Sequence, residues 1–125
     1  MPGESFRQLE VWQLAIKMTF EIYRLTKSFP DSERFGLTNQ LRRAAVSVAS
    51  NIAEGHGRST RGEYIQFLGH ARGSVCEVET QLVIARGLGF GSAGDLDTSE
   101  DLCKRVGSML RVLLKRLRPQ NPLDP

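Results

Sequence analysis

Apolar residues recur along most of the chain at intervals of three and four positions, the spacing of one face of an α-helix. This pattern predicts four helices, over residues 9–28, 38–56 and 60–86 and from 97–101 to about 118. The alternation of apolar and polar residues that is typical of β-strands is not found in the sequence. Because short links favour antiparallel neighbours, we predict an all-α protein of one domain, an antiparallel up-down-up-down four-helix bundle. The ends, at about 1–5 and 119–125, are expected to be flexible.

Each predicted helix has one long apolar stripe, which we assign to the core of the bundle. In the third helix the later steps of this stripe alternate between four and three residues, the rhythm of a bundle seam. The four stripes contain Val11, Met18, Ile22 and Leu25; Leu41, Ala45, Val48 and Ile52; Tyr64, Leu68, Ala71, Val75, Val78, Leu82 and Ala85; and Cys103, Val106, Leu110, Leu113 and Leu117.

The helix ends are predicted from capping residues. Gly55 and Gly57 can close the second helix, and Thr60 and Glu63 have the spacing of a capping box at the start of the third. Carboxylates in residues 97–101 favour the start of the fourth helix, because negative charge stabilises a helix amino terminus.

The first helix carries a second apolar stripe, about 140° from the first, which one bundle core cannot also bury. This stripe contains Leu9, Trp12, Ile16 and Tyr23, with Phe20 beside it. The second helix has a stripe of small residues, namely Val46, Ala49, Ser50 and Ala53. Either the first helix lies unusually deep in the monomer, or these stripes contact another subunit. A small bundle has little interior, so we favour a subunit interface that contains Trp12, Ile16, Tyr23, Val46, Ala49 and Ala53.

Two glycines, Gly69 and Gly73, lie four positions apart within the predicted third helix. Glycine weakens a helix interior unless a neighbouring backbone needs the space. The pair therefore indicates a close contact, either with another subunit or inside one monomer.

Residues that could carry out catalysis or hold a metal ion are scarce. Neither His56 nor His70 has a second histidine or cysteine at the helical spacing of a zinc site. Residues 89–94 match Gly-x-Gly-x-x-Gly, but they follow a helix and not a strand, so we interpret them as a flexible connector. Cys76 and Cys103 do not belong to a paired motif and are expected to be packed thiols. We therefore expect a protein that is not an enzyme and needs no cofactor or metal.

Positive charge is concentrated in the fourth helix. The formal net charge is only +3, yet residues 102–118 contain no acid and six cations, Lys104, Arg105, Arg111, Lys115, Arg116 and Arg118. Arg58 and Arg61 form a second basic spot at the turn between the second and third helices. At about 100° per residue, four of the six share one stripe opposite the apolar seam, namely Lys104, Arg111, Lys115 and Arg118. Such a stripe can follow a phosphate backbone, although solvated helix faces also carry cations near a carboxyl end.

Hydropathy gives no sign of a membrane segment. An apolar run long enough to span a bilayer, roughly 20 residues, is not found in the sequence. The amino terminus also lacks the basic start and apolar run of a signal peptide. We expect a cytoplasmic protein with no membrane contact.

Several segments resemble one bacterial family. The Asn51-Ile52-Ala53-Glu54-Gly55 sequence is the most specific match, together with Glu77 and Glu79. The other matching segments are residues 6–12, 23–30, 35–38, 40–55, 63–68 and 71–74. They are similar to the bacterial four-helix-bundle family, also called the 23S rRNA intervening-sequence protein family. Ala49 stands where many relatives carry proline, so this resemblance does not extend to a kink in the second helix.

The resemblance implies an antiparallel four-helix bundle that assembles into a homopentameric ring, without catalytic residues. It also implies a link to structured RNA, through genes inside ribosomal RNA insertions and through similar accessory proteins of diversity-generating retroelements that bind RNA and a reverse transcriptase. The family's motif residues are expected to form a polar network between the second and third helices or across a subunit boundary: Arg43, Ser47, Asn51, Glu54 and Glu77.

Three hypotheses about function follow. The first is a ring-forming protein that binds RNA, or an RNA–protein complex, through phosphate contacts from the six cations of the fourth helix together with Arg58 and Arg61. The second is a protein-interaction scaffold or accessory subunit, for example to a reverse transcriptase, that does not touch RNA. The third is a small-ligand site between helices.

Overall fold

The computed structural model describes residues 5–118. Four helices account for most of this range: α1 (Glu10–Thr26), α2 (Leu37–His56), α3 (Arg61–Leu88) and α4 (Ala93–Leu117). Short 3-10 turns precede α1 at Phe6–Gln8 and α2 at Asp31–Glu33. The expected flexible ends fall outside the described residues, apart from Ser5, whose hydroxyl accepts a hydrogen bond from the Arg7 amide at 3.1 Å.

Neighbouring helices run antiparallel. Each helix packs against the next along the chain, and α4 returns to pack against α1. Side-chain contacts fix the directions: Arg24 late in α1 reaches Asp95 at the start of α4, and Arg86 late in α3 reaches Asp97 and Glu100. This arrangement confirms the predicted up-down-up-down four-helix bundle.

The core of the bundle contains nearly all of the predicted apolar stripes. The side chains that are completely buried include Met18, Ile22, Leu41, Leu68 and Leu82. The prediction was only partly right at the end of α4, where Leu113 and Leu117 pack against the core but are partly exposed, as is Tyr64 at the start of α3. Leu114, which the predicted stripe did not include, is buried. Leu114 follows Leu110 by one helical turn and so stays on the core side. Leu113 turns towards the surface that α4 shares with the start of α1.

The predicted start of α4 was also wrong. The helix begins at Ala93, because the Ser92 hydroxyl accepts a hydrogen bond from the Asp95 amide at 3.2 Å and so caps it. The carboxylates of residues 97–101 therefore lie inside the helix and not at its amino terminus. At the start of α3, by contrast, the predicted cap is present, since Thr60 accepts a hydrogen bond from the Glu63 amide at 3.1 Å.

The glycine-rich link between α3 and α4 is a tight, packed turn and not a loose connector. Gly89 closes α3 with a φ of 78°. The Phe90 amide donates to the Ala85 carbonyl at 2.9 Å, which is a typical helix end. The ring of Phe90 packs against Phe29, with 5.6 Å between the ring centroids. Gly91, with a φ of 82°, lies against Leu25. The turn thus seals this end of the core.

One glycine allows α2 and α3 to approach closely. A Cβ atom at Gly55 would lie 2.7 Å from the Cβ of Phe67 and 3.1 Å from Cδ1 of Tyr64. The sequence pattern had suggested a different role for Gly55, that of a helix end, whereas it is buried inside the last turn of α2. Its absent side chain sets the distance between the two helices where α3 begins.

Across residues 5–118, each helix is too short or too polar to serve as a membrane span.

Candidate nucleic-acid interface

The antiparallel order brings Arg58 and Arg61 to the same end of the bundle as four of the six cations of α4. We call this the basic end: it holds the turn between α2 and α3 and the carboxyl-terminal half of α4. Arg58 and Arg61 lie at the turn, and Arg111, Lys115, Arg116 and Arg118 lie at the end of α4. All eight cations assigned from the sequence have exposed side chains.

The six cations of α4 do not share one surface. At about 100° per residue, Lys104, Arg111, Lys115 and Arg118 fall within a sector of about 60°, which we call the α4 basic stripe. Arg105 and Arg116 lie roughly 100–120° away from Lys104 around the helix. Arg116 instead borders a depression between α4 and the start of α1. A single nucleic-acid backbone could therefore not follow all six.

Nearby carboxylates neutralise some of the cations. Arg58 lies 2.9 Å from Glu54 and 4.0 Å from Glu63, and its guanidinium sits 4.7 Å above the centroid of the Phe67 ring. Arg105 lies 3.8 Å from Asp101. Among the described residues, Lys104, Arg111 and Arg118 have no such carboxylate partner. Three cations that no carboxylate neutralises therefore lie along the α4 basic stripe.

One cation near this stripe was not among the RNA-binding residues predicted from the sequence. Arg72 of α3 lines the same depression as Lys104 and Arg111, which lies in the groove between α3 and α4 and has a volume of about 350 Å³. Because Arg72 is isolated within α3, its sequence context gives no hint of a basic cluster. Only the packing of α3 beside α4 brings it to the cations of the other helix.

The predicted subunit-interface residues come together on a different side of the bundle, between α1 and α2. One shallow groove of about 230 Å³, which we call the α1–α2 groove, is lined by Trp12 and Ile16 of α1 and by Val46, Ala49 and Ala53 of α2. It is almost entirely apolar. Tyr23 lines a neighbouring depression together with Phe20, whose side chain is 69% exposed. The second apolar stripe of α1 thus lies at the surface of the subunit and not deep inside it.

The expected polar network between α2 and α3 is centred on Ser47. The Ser74 hydroxyl donates a hydrogen bond to the Ser47 hydroxyl at 3.0 Å. The side-chain amide nitrogen of Asn51 donates to the Ser47 backbone carbonyl at 2.8 Å and to the Ser47 hydroxyl at 3.0 Å. Arg43 and Glu77 line the same depression as Ser47, but within residues 5–118 they form no ion pair. Glu54 is directed to Arg58 instead. Sequence analysis did not include Ser74, which lies opposite Ser47 only in the folded bundle.

Gly69 and Gly73 face open space. A Cβ atom at either position would meet no atom of another part of the subunit within 4 Å. A close contact inside one monomer, one of the two explanations considered for this pair, is therefore wrong. Both glycines lie on the exposed side of α3, away from its buried stripe.

Comparison with known proteins agrees with this fold. The model of the family described as 23S rRNA-intervening sequence protein matches residues 7–112. The chain belongs to that family. A solved structure with the same fold is a protein of unknown function from the S23 ribosomal protein family of Bacteroides thetaiotaomicron. It is 18% identical, with a TM-score of 0.76 over 84% of this chain and 98% of that one. No curated protein matches the chain significantly.

Potential catalytic or metal-binding groups are dispersed in this member of the 23S rRNA-intervening sequence protein family. Within the described range, no three side chains of the histidine, cysteine, aspartate or glutamate types cluster to hold a metal ion. The two histidines pack edge-on against aromatic rings, His56 against Tyr64 and His70 against Phe67, each with 6.0 Å between ring centroids.

The two cysteines differ sharply in environment. Cys103 is buried, with its sulfur 3.6 Å from that of Met18, whereas Cys76 is exposed, so the expectation of a packed thiol was wrong for Cys76. Burial raises the pKa of Cys103 to about 12, and the negative charges of Glu79 and Glu100 add to this effect. In the folded protein at pH 8, Cys103 therefore remains a protonated and inaccessible thiol.

We expect iodoacetamide at pH 8 to modify one thiol in the native chain, Cys76, and the second only after unfolding. Peptide mass spectrometry checks this assignment, and equal labelling of both cysteines in the native state would contradict the buried position of Cys103. The pKa of Cys103 is higher in the folded than in the unfolded chain. Its contribution to stability is therefore fully present below about pH 9 and is lost as the pH rises towards 12.

Proposed function

We propose that this protein is a non-enzymatic homo-oligomer that binds structured RNA through phosphate contacts. The observation that carries the proposal is the α4 basic stripe, in which Lys104, Arg111 and Arg118 are exposed and have no carboxylate partner among the described residues. Cations without partners release the counterions of a nucleic acid when they contact its phosphates, which is favourable and strongly salt-dependent. The family's own description, which refers to an intervening sequence of 23S rRNA, supports RNA as the ligand.

Assembly into a ring would multiply this surface. The α1–α2 groove offers an apolar contact for a second copy, and Phe20 and Tyr23 extend the apolar surface beside it. Exposed apolar surface of this kind is typical of subunit interfaces. The resemblance described above suggests five copies, and several copies would each present one basic stripe to the same RNA, which raises the overall affinity.

Salt-dependent binding to a structured RNA tests the proposal. Filter binding between low and physiological salt is expected to show tight binding that weakens steeply, with little dependence on RNA sequence. Replacing Lys104 and Arg111 with alanine should reduce the slope of log K against log salt by about 1.4–1.8, which corresponds to two lost phosphate contacts.

A matched control exists on the same helix. The double change of Arg105 and Arg116 to alanine removes the same charge from α4, but from positions outside the α4 basic stripe, and should alter the slope much less. No binding at low salt, or an equal effect of the two double variants, would refute phosphate binding by the stripe.

A protein-interaction scaffold or accessory subunit, for example to a reverse transcriptase, is the second candidate. It is favoured by an exposed apolar group near the carboxyl end of α3, away from the basic end: Val83, Ile84 and Leu88, which are 67%, 46% and 58% exposed. Recovery of one specific protein after nuclease treatment, together with no binding to RNA alone, would support this alternative over the first.

A further inference from the structure

The groove between α3 and α4 has two halves with opposite electrostatic character. Near the α3–α4 turn, Arg86 lies 2.8 Å from Asp97 and 3.2 Å from Glu100, so its charge is neutralised. Further towards the basic end, Arg72 faces Lys104 and Arg111 across the groove. This second half, which we call the α3–α4 basic groove, is the only part of the described groove in which cations from both helices lack carboxylate partners.

The charge of the α3–α4 basic groove is not balanced locally. Glu79 is the one acid that lines it, against three cations, and none of the three forms an ion pair with Glu79 within the described residues. Arg111 also donates a hydrogen bond to the Ser108 hydroxyl at 3.3 Å, which holds its guanidinium beside the groove. The groove therefore has the charge of a site for an anion.

The groove is deep between its cations because the residues at its base have small side chains. Cys76 of α3 and Gly107 and Ser108 of α4 line it, and a Cβ atom at Gly107 would lie 3.6 Å from Cγ1 of Val75. Gly69 and Gly73 lie on the adjoining face of α3 and carry no side chain. A Cβ atom at either position would meet no other part of the subunit within 4 Å. Glycine stabilises an exposed helix less than alanine does, and no contact within the described subunit requires glycine at these two positions.

The spacing of the cations suits a chain of phosphates better than a single small anion. Lys104, Arg111 and Arg118 follow one another at seven-residue intervals, and each interval advances about 10 Å along the helix axis. The side chains that line the groove include no aromatic ring on which a base could stack.

We propose that the α3–α4 basic groove is the path of an RNA phosphodiester backbone, with Arg72 of α3 as a phosphate contact opposite Lys104 and Arg111. Arginine can bind phosphate oxygens with two parallel hydrogen bonds, so Arg72 and Arg111 would hold the backbone from both sides. This inference rests on the proposed RNA binding, but it adds a location and a contact residue from a different helix. It implies contact with the backbone and not with base edges.

Cys76 provides a direct probe, because it lines the groove and is exposed while Cys103 is buried. The wild-type protein is treated with iodoacetamide, a neutral reagent, with and without a saturating structured RNA, at low and at physiological salt. We expect RNA to slow the alkylation of Cys76 several-fold at low salt, and the protection to disappear as the salt releases the RNA. An unchanged rate in the presence of bound RNA would overturn the path, and so would a Cys76 that is already unreactive in the free protein, because another copy would then cover the groove.

Variants of Arg72 give an independent test by filter binding. Arg72→Ala is expected to weaken binding about tenfold at about 0.1 M salt and to reduce the salt slope by about 0.7–0.9, whereas Arg72→Lys should retain most of the slope. Arg43→Ala is the matched control, since Arg43 is an exposed arginine of α2 that has no ion pair within residues 5–118 and lies outside this groove.

The two proposals fail in different ways. If the wild-type protein binds RNA but Arg72→Ala and Arg43→Ala behave alike, the path is wrong and RNA binding stands. If the wild-type protein does not bind RNA at low salt, the proposed function itself is wrong and the path falls with it.

Discussion

Replacing Ala53 with glutamate is expected to dissociate the proposed oligomer into single chains of 14.0 kDa. Ala53 lines the α1–α2 groove with Trp12 and Ile16. In the proposed assembly a glutamate side chain would place a carboxylate among apolar groups of two subunits. Burying an unpaired charge costs several kcal/mol, which is enough to break a contact between small subunits. In the isolated subunit Ala53 is partly exposed, so the new carboxylate can reach water there and the helices should remain folded.

Sedimentation measures the mass, and circular dichroism measures the helical content. Gln40→Glu serves as the control, because it adds the same side chain to an exposed position of α2. At 100° per residue this position lies about 140° around the helix from Ala53. We expect the control to keep the mass of the wild type. An unchanged mass for Ala53→Glu would exclude the α1–α2 groove as the subunit interface.

Replacing Gly91 with alanine is expected to reduce the free energy of unfolding by about 2–5 kcal/mol. The φ of Gly91 is 82°. That conformation costs a residue with a side chain roughly 1–2 kcal/mol. The added Cβ would also lie 2.6 Å from Cδ1 of Leu25 and 3.3 Å from Cε1 of Phe29, so both core side chains would have to move. Overpacking of this kind costs a further amount of about 1–3 kcal/mol.

Urea unfolding followed by circular dichroism gives the change in free energy. Gly94→Ala is the matched control three residues later, where a Cβ meets nothing within 4 Å and the residue is already helical. Its stability should be unchanged or increased by up to about 1 kcal/mol. Equal effects of the two substitutions would show that the turn between α3 and α4 is not packed as described.

The fold could be predicted from the sequence because the apolar periodicity of the four helices and their short links agree with one another. The start of α4 could not, since Ser92 and the later carboxylates are equally good starting signals in the sequence. What selects Ser92 is the tertiary packing of Gly91 and Phe90 against Leu25 and Phe29, which fixes where the chain turns. Contacts between residues so distant in the sequence produce no local sequence pattern from which the helix start could be predicted.

The parts of the candidate site that lie within one helix could be predicted from the sequence, and the parts that depend on packing between helices could not. The second apolar stripe of α1 and the small residues of α2 were assigned to one subunit interface, and the structure places most of them in one groove. By contrast, Arg72 belongs to the basic groove only because α3 packs beside α4. The helical period gives the face on which the charges of one helix lie, but not the charges that a neighbouring helix brings beside them.

Sedimentation of the wild-type protein with and without a structured RNA tests the central claim, that this chain assembles and binds RNA, most directly. We predict that the free protein sediments as an assembly of several 14.0-kDa chains. It should co-sediment with the RNA at low salt, and the complex should dissociate as the salt rises. A single 14.0-kDa species that sediments identically with and without RNA would contradict the claim.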